Sequence, residues 1–173
     1  MNVYLLRHGI AVDPGKQGFA KDAERPLTPK GKRRLREIAR AMAVLKISFD
    51  VILASPYVRA AETAEIIVKS FRLRNSLFLT EELTPGGDPH LLIQHLNCLR
   101  PIPKNILLVG HEPYLSKLIA LLTAGNTSMA IDMKKGSLCQ LDVESLRCAR
   151  CATLVCLFAP RHLALMIGEC LSS

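Results

Sequence analysis

Two histidines and two arginines follow strand-like segments of this sequence, where their side chains could together hold a phosphoryl group. Arg7 and His8 come after the apolar run NVYLL, Arg59 comes shortly after VILA, and His111 follows NILLVG. Guanidinium groups bind phosphate oxygens through paired, charge-assisted hydrogen bonds. A neutral imidazole can attack phosphorus without a separate base to deprotonate it. These residue types therefore point to phosphate binding or phosphoryl transfer.

The segments around these residues predict the elements that position them. Strand-like apolar patterns occur at residues 2–6, 51–54, 76–80, 105–109, 137–143 and 151–158. Helical spacing predicts a helix from Pro29 to Leu45, with Thr28 as its N-cap, and further helices at 57–71, 89–99 and 113–123. Strands that alternate with helices of this length predict an α/β fold, a three-layer α/β/α sandwich with a mostly parallel central sheet.

Polar clusters occupy the carboxyl ends of the first four predicted strands, at residues 7–9, 55–59, 81–85 and 110–113. Open α/β sheets bind ligands beyond these strand ends, so we expect the clusters to meet at one edge of the sheet. Ser55 is predicted to cap the second helix, which would place Arg59 in its first turn. Backbone N–H groups and guanidinium groups gathered at one place describe a phosphate site.

Length, composition and charge limit the class of protein. With 173 residues and 49% hydrophobic content, the chain is expected to form a single domain over residues 1–173. The net charge of +8 favours anionic partners but does not choose among phosphate esters, acidic proteins, nucleic acid and anionic lipid. No apolar stretch has the length of a signal-peptide core or a membrane span, so we expect a cytoplasmic protein with no membrane partner.

Neither the cysteines nor the acidic residues form a recognisable metal site. Cys148 and Cys151 make a CARC pair, but no second CxxC completes a zinc set, and no secretory signal favours disulfides. Phosphoryl transfer needs positive charge around its equatorial oxygens, which Mg²⁺ or arginines supply. Asp13, Asp88 and Asp132 lie far apart in the sequence, and there is no P-loop motif. We therefore expect no metal and no cofactor.

Several motifs resemble the histidine phosphatase superfamily. They are LLRHG, LASPYVRAAETAEI and VGHEP, each placed after a predicted strand and in the order the family shows. RPLTPKG, from Arg25 to Gly31, and EELTPGGD, from Glu81 to Asp88, are similar to its SixA-like phosphohistidine phosphatase branch. The resemblance spans almost the whole chain and implies a phosphoglycerate-mutase-like fold.

The resemblance also implies roles for particular residues. His8 would be the nucleophile that takes the phosphoryl group, which water then removes, while Arg7, Gly9, Arg59 and His111 would hold the phosphate. Relatives that act on phosphate esters use a carboxylic acid from the loop after the third strand. Glu82 matches that position, so it is the predicted leaving-group acid, with Glu81 beside it. The SixA-like branch departs from the ester-hydrolysing pattern in this loop.

Other charged residues are expected to lie outside the catalytic centre. Arg25 would border the site and could touch a larger substrate. A basic run on the first helix is predicted to be a solvated face, with a docking patch for an acidic partner as the alternative. That run consists of Lys30, Lys32, Arg33, Arg34 and Arg36. The remaining histidines, His90, His95 and His162, lack neighbouring motifs and are expected to be structural.

The sequence therefore predicts a metal-independent phosphatase that hydrolyses phosphohistidine on a signalling protein, such as a His-phosphotransfer domain. A small-molecule phosphomonoesterase with the same site is the alternative among enzymes. A phosphate- or RNA-binding module without activity is the alternative from another class. Nucleic-acid binders usually interleave aromatic with basic residues, whereas this chain has 5% aromatic residues and no Trp. We therefore predict no nucleic-acid partner.

Overall fold

A mixed six-stranded sheet organises the part of the chain that the computed structural model describes, residues 1–15 and 18–170. The strands are β1 (Asn2–Arg7), β2 (Val51–Ala54), β3 (Leu77–Leu79), β4 (Asn105–Gly110), β5 (Leu138–Val143) and β6 (Ala152–Phe158). Their order across the sheet is β3-β2-β4-β1-β5-β6. The four strands β1, β2, β3 and β4 are parallel to one another, and β5 runs antiparallel to both β1 and β6. The predicted strands and the mostly parallel sheet are confirmed.

Helices cover both faces of this sheet. They are α1 (Pro29–Val44), α2 (Val58–Phe71), α3 (Pro89–Cys98), α4 (Tyr114–Ala124) and α5 (Pro160–Cys170). α1, α2 and α5 share one hydrophobic cluster with one face of the sheet, while α3 and α4 share a second cluster with the other face. Short 3-10 helices occur at Asp22–Glu24 and Glu81–Leu83. The three-layer α/β/α architecture is therefore confirmed, and no helix in the described ranges is long and apolar enough to cross a membrane.

Two details of the helices differ from the sequence predictions. α2 begins at Val58 with Tyr57 as its N-cap, so the prediction that Ser55 caps it is wrong. The Ser55 side chain is fully buried, and its hydroxyl lies 2.9 Å from a histidine ring nitrogen instead. α5 was not predicted. It begins at Pro160, and its Leu163 is buried against the same face of the sheet as α1.

The central position of β1 explains why its apolar run ends in charged residues. β1 lies between β4 and β5, and helices cover both faces of the sheet, so its residues from Val3 to Leu6 are buried. Arg7 pairs with Gly110 in the parallel register between β1 and β4. The residues that follow this pair, His8 and His111, therefore emerge side by side at the carboxyl edge of the sheet.

Candidate active site

His8 and His111 form the centre of a buried polar cluster. Their ring centroids are 5.0 Å apart, and both side chains are almost completely buried. The backbone N–H of His8 donates to the carbonyl of Gly110 at 3.1 Å, which ties the two strand ends together. The sequence predicts that the polar segments after the strands meet at one edge of the sheet. The segments that follow β1 and β4 do meet there.

Hydrogen bonds at both ring nitrogens define the state of His8. Nδ1 lies 2.7 Å from the carbonyl oxygen of Gly9, which can only accept, so Nδ1 carries the proton. Nε of Arg59 donates to Nε2 of His8 at 3.2 Å, so Nε2 carries the lone pair. Neutral His8 therefore presents an unprotonated nitrogen to a guanidinium group.

Arg59 lies in the first turn of α2 and is 4% exposed. Besides its bond to His8, it donates from Nη1 to the carbonyl oxygen of Asp22 at 2.6 Å and from Nη2 to Oδ2 of Asp22 at 2.8 Å. Arg25 binds the other carboxylate oxygen, Oδ1, through Nε at 2.8 Å. Asp22 thus joins the two arginines, and Arg25 lies at the border of the cluster as the resemblance implies.

Asp22 was missed by the sequence analysis. An acid three residues before Arg25 on a helical turn is a signal for an ion pair, but nothing in that spacing connects it to Arg59. Burial acts to raise the pKa of Asp22, but the hydrogen bonds from Arg25 and Arg59 outweigh it and lower that pKa. Its carboxylate is therefore a fixed negative charge beside Arg59.

Thr63 fixes α2 against the end of β1. Its hydroxyl oxygen accepts from the N–H of Gly9 at 3.1 Å and donates to the carbonyl of Arg59, one turn earlier, at 2.6 Å. A Cβ at Gly9 would come within 2.7 Å of the Leu35 side chain, so a larger residue there would force that side chain of α1 to shift. Gly9 thus orients His8 through its carbonyl and contacts Thr63 of α2 and Leu35 of α1. Its contact with phosphate stays a prediction.

Arg7 is held by the segment that precedes β5. Its Nη1 donates to the carbonyl of Met133 at 2.5 Å, and its backbone N–H donates to the carbonyl of Ser137 at 3.1 Å. The carbonyl of Arg7 accepts from the N–H of Gly136 at 3.0 Å. Nε of Arg7 is buried and has no hydrogen-bond partner among the described residues. This nitrogen is therefore a donor that a bound anion would satisfy.

His111 contacts Ser55 at 2.9 Å through Nε2, while its Nδ1 is buried and has no hydrogen-bond partner within the described ranges. Its ring also lies against Tyr57, with ring centroids 5.0 Å apart. The guanidinium of Arg59 is 5.1 Å from the centre of the Tyr57 ring, in cation–π range. Ser55 and Tyr57 thus form one side of the cluster and limit the movement of His111 and Arg59.

Burial and surrounding cations keep both histidines neutral. Burial lowers the pKa of His8 to about 3, and the nearby charges of Arg59, Arg7 and Lys135 act in the same direction. The pKa of His111 is also lowered to about 3, again mainly by burial and then by His8. An unprotonated imidazole surrounded by cations is suited to attack a phosphoryl group, because the ring keeps its lone pair at neutral pH.

Glu82 forms no hydrogen bond or ion pair with a described residue of this cluster. Its Oε2 is 3.9 Å from Nδ1 of His95, and the same oxygen is buried without a hydrogen bond to any described residue. Its charge helps to raise the pKa of Tyr114, but it contributes to the pKa shift of neither central histidine. The structure thus brings His8, Arg7, Arg59 and His111 together, while Glu82 pairs with His95, and its role as the acid stays a prediction.

Comparison with known proteins agrees with this geometry. Residues 3–83 match the model of the histidine phosphatase superfamily, branch 1. Phosphohistidine phosphatase SixA of Escherichia coli K12 is 33% identical over 128 residues, covering 73% of this chain and 77% of that protein. The SixA homologue of Haemophilus influenzae is 33% identical over 130 residues, covering 70% of this chain and 77% of that protein.

A solved structure shows the same fold. The protein histidine phosphatase SixA in complex with tungstate superposes with a TM-score of 0.80 at 26% identity, covering 94% of this chain and 99% of that one. The phosphoglycerate-mutase-like fold and the similarity to the SixA-like branch, both implied by the sequence motifs, are confirmed. From the strand-end histidines, the arginines beside them and these relatives together, it follows that the chain is a phosphatase and belongs to the histidine phosphatase superfamily.

Proposed function

We propose that this phosphatase hydrolyses phosphohistidine on a signalling protein, without a metal ion, through a phosphoryl group carried on His8. In the first step, Arg59 moves its donor from Nε2 of His8 to an oxygen of the bound phosphate, and the freed lone pair of Nε2 bonds to phosphorus as the bond from phosphorus to the substrate's ring nitrogen breaks. In the second step, water attacks the phosphorus of phospho-His8. Inorganic phosphate leaves, and His8 returns to its neutral form.

The orientation of His8 is the observation that carries this proposal. The Gly9 carbonyl holds the proton on Nδ1, and Arg59 directs a donor at Nε2, so the lone pair faces the cations that would bind phosphate. Arg7 and His111 each contribute a buried nitrogen that lacks a partner among the described residues. Donors prepared in advance stabilise the charge on the equatorial oxygens, which is the main requirement of phosphoryl transfer.

The position of Glu82 favours phosphohistidine over an ester as the substrate. An alkoxide needs a proton in the transition state, whereas phosphohistidine can be protonated on its ring beforehand and depart as neutral imidazole. Glu82 faces His95, and Asp22, the carboxylate beside Arg59, has a lowered pKa and is a poor proton donor. The cluster therefore suits a leaving group that needs little help from an acid.

The donor set supports the metal-free part of the proposal. The side chains around His8 are the guanidinium groups of Arg7 and Arg59 and the imidazole of His111, with Asp22 already bound by two arginines. Divalent cations such as Mg²⁺ prefer carboxylate and carbonyl oxygens. The positive charge that a metal would bring is supplied here by arginine.

Three further observations support a protein substrate and a cytoplasmic location. The relatives from Escherichia coli and Haemophilus influenzae carry the name phosphohistidine phosphatase, and the net charge of +8 favours an acidic partner such as a His-phosphotransfer domain. The described cysteines, Cys98, Cys139, Cys148, Cys151 and Cys156, are free thiols, as is usual in a reducing compartment.

A turnover assay on two substrates tests the proposal. The full chain is given a phosphohistidine peptide and an aryl phosphate, each with and without EDTA, and released phosphate is measured. We expect faster turnover of the peptide, no effect of EDTA, and no activity in His8→Ala. Faster turnover of the aryl phosphate would indicate a phosphomonoesterase, and restoration of an EDTA-treated enzyme by Mg²⁺ would contradict the metal-free mechanism.

A further inference from the structure

A groove of about 610 Å³ lies next to the active site and shares Arg7 with it. We call it the basic groove and define it by its five cations, Arg7, Arg34, Lys134, Lys135 and Arg161, and its single acid, Asp132. These residues come from four separate parts of the fold: the end of β1, α1, the segment that precedes β5, and the start of α5. The groove is therefore a product of the tertiary structure rather than of one basic stretch of sequence.

The positive charge of the basic groove is not neutralised within the described part of the chain. Asp132 lies 3.8 Å from Lys134, and both side chains are largely exposed. Arg34, Lys135 and Arg161 form no ion pair with any described residue. Excess charge of one sign in a concave site attracts a ligand of the opposite sign.

The basic groove is also electrostatically continuous with the catalytic centre. Lys135 is close enough to His8 to help lower its pKa, and Arg7 belongs to both sites. A substrate whose phosphate lies against Arg7 would therefore place its neighbouring groups in the groove. In a protein substrate, those groups are the residues that flank the phosphohistidine.

Apolar side chains also line the basic groove. They are Ile10, Leu157, Ala159 and Pro160, and Leu157 is half-buried. A groove lined by both cations and apolar groups matches a polypeptide segment, which offers both carboxylates and aliphatic surface. A compact inorganic anion would contact the cations and leave the apolar groups uncovered.

The residues of the basic run on α1 have different environments in the structure. Lys32 pairs with Glu62 at 2.5 Å, and Arg33 is exposed outside the groove. Arg34 is half-buried and lines the groove. A single cation from this run therefore reaches the groove, and the rest of the run has a different environment.

We propose that the basic groove binds acidic side chains that flank the phosphohistidine of a protein substrate. This inference rests on the proposed function and adds the substrate class: phosphohistidine within an acidic segment. Side chains three or four positions away on a helix lie about 5–6 Å from the histidine, and those two positions away on a strand lie about 7 Å from it. Because Arg7 itself lines the groove, side chains at these distances from a histidine whose phosphate is bound at Arg7 would be close to the groove.

Matched peptides and variants test the basic groove directly. One phosphohistidine peptide carries Asp and Glu at the flanking positions, and a second of equal length carries Asn and Gln there. The enzymes are the full-length wild type, Arg34→Gln, Arg161→Gln, the double variant, and Arg33→Gln as a control on the same helix. We expect the double variant to lose about tenfold in kcat/KM on the acidic peptide, because each exposed charge pair contributes about threefold.

The other measurements should separate the groove from the catalytic centre. The neutral peptide and an aryl phosphate should keep their rates within about twofold in every groove variant, and Arg33→Gln should behave as wild type. The preference of the wild type for the acidic peptide should decrease as salt is raised from 50 to 500 mM, since exposed charges are screened. An equal loss on both peptides, or no loss on either, overturns the groove proposal.

Failure of the proposed function has a different signature. If the wild type hydrolyses neither phosphohistidine peptide, the proposed activity is wrong. The groove is then tested alone, by measuring the binding of the unphosphorylated acidic and neutral peptides with fluorescence anisotropy. Tighter binding of the acidic peptide, lost in the double variant, would support the groove, and equal binding would overturn it. A small bisphosphate serves as one more substrate. If the groove variants lose activity on it and on neither peptide, the groove binds small anions instead of an acidic segment, and the proposal is overturned.

Discussion

Nε of Arg59 donates a hydrogen bond to Nε2 of His8 at 3.2 Å, so the residue expected to bind phosphate also fixes the lone pair of the nucleophile. The contact depends on the first turn of α2, which Thr63 ties to Gly9 at the end of β1. Orientation of the nucleophile and binding of the phosphate are therefore coupled through one side chain.

Replacing Arg59 should affect both functions. We expect Arg59→Ala to lower kcat/KM by at least about tenfold, since charge-assisted hydrogen bonds contribute about 1.5–3 kcal/mol each. Arg59→Lys should recover only part of this loss, because an ammonium cannot reproduce the planar set of donors to His8 and Asp22. Steady-state kinetics test both variants, with exposed Lys69→Gln on the same helix as the control. Full activity in Arg59→Ala would contradict the assignment.

Removing the charge of Asp22 should strengthen anion binding. Its carboxylate occupies Nη2 of Arg59 and places a negative charge beside the phosphate-binding groups. We expect Asp22→Asn to lower the inhibition constants of inorganic phosphate and tungstate by about threefold or more, the scale of an exposed charge interaction. Glu24→Gln, which removes an exposed charge from the same 3-10 helix, should change neither constant. Weaker inhibition in Asp22→Asn would mean that Asp22 positions Arg59 rather than competing for it.

The two central histidines should make the stability of the fold depend on pH. Their pKa values of about 3 lie below the unfolded value of 6.5, so the unfolded state binds the extra protons. The free energy of unfolding should therefore decrease as the pH falls from about 6.5 toward 3, by up to about 1.4 kcal/mol per pH unit for each histidine. Denaturant unfolding at pH 7.0 and 5.5 measures this effect.

A double variant, His8→Gln with His111→Gln, provides the comparison for that measurement. It should lose about 2 kcal/mol less than the wild type between the two pH values, because its replacements do not titrate. The same loss in both proteins would show that the histidines are not kept neutral by the fold.

Glu82→Gln should distinguish between substrates. Because phosphohistidine can depart as neutral imidazole and Glu82 pairs with His95, we expect phosphohistidine hydrolysis to decrease by less than about tenfold. If Glu82 serves as the acid for esters, hydrolysis of an alkyl phosphate should decrease by about 10² to 10⁴, as for a lost general acid. Glu81→Gln, an exposed neighbour, is the control for both rates. An equal loss on the two substrates would make Glu82 a binding or structural residue.

The strand ends and the main cations could be predicted because each follows from a local pattern. The apolar run of β1 ends at Arg7, and parallel pairing with β4 brings His8 beside His111 without any further information. The N-cap of α1 could be predicted in the same way. The hydroxyl of Thr28 accepts a hydrogen bond from the N–H of Gly31 at 3.0 Å.

Contacts between distant segments could not be predicted in the same way. Asp22 reaches Arg59 across 37 positions of sequence, and Ser55 meets His111 across 56, so neither pairing leaves a periodic signal. The Ser55 hydroxyl contacts His111 and accepts from the N–H of Tyr57 at 3.3 Å, but α2 begins only at Val58, so the hydroxyl does not cap its first turn. The basic groove likewise combines Arg34 with Lys135 and Arg161, which only the packing of α1 and α5 on one face of the sheet brings together.

Trapping the covalent intermediate tests the central claim most directly. The full chain is mixed with a substrate labelled in its phosphoryl group, quenched within milliseconds in alkali, and digested to locate the label. The account predicts label on His8, in a phosphoramidate that is stable in alkali and lost in acid, and no label in His8→Ala. Label on a serine or cysteine, or turnover by His8→Ala at the rate of the wild type, would contradict it.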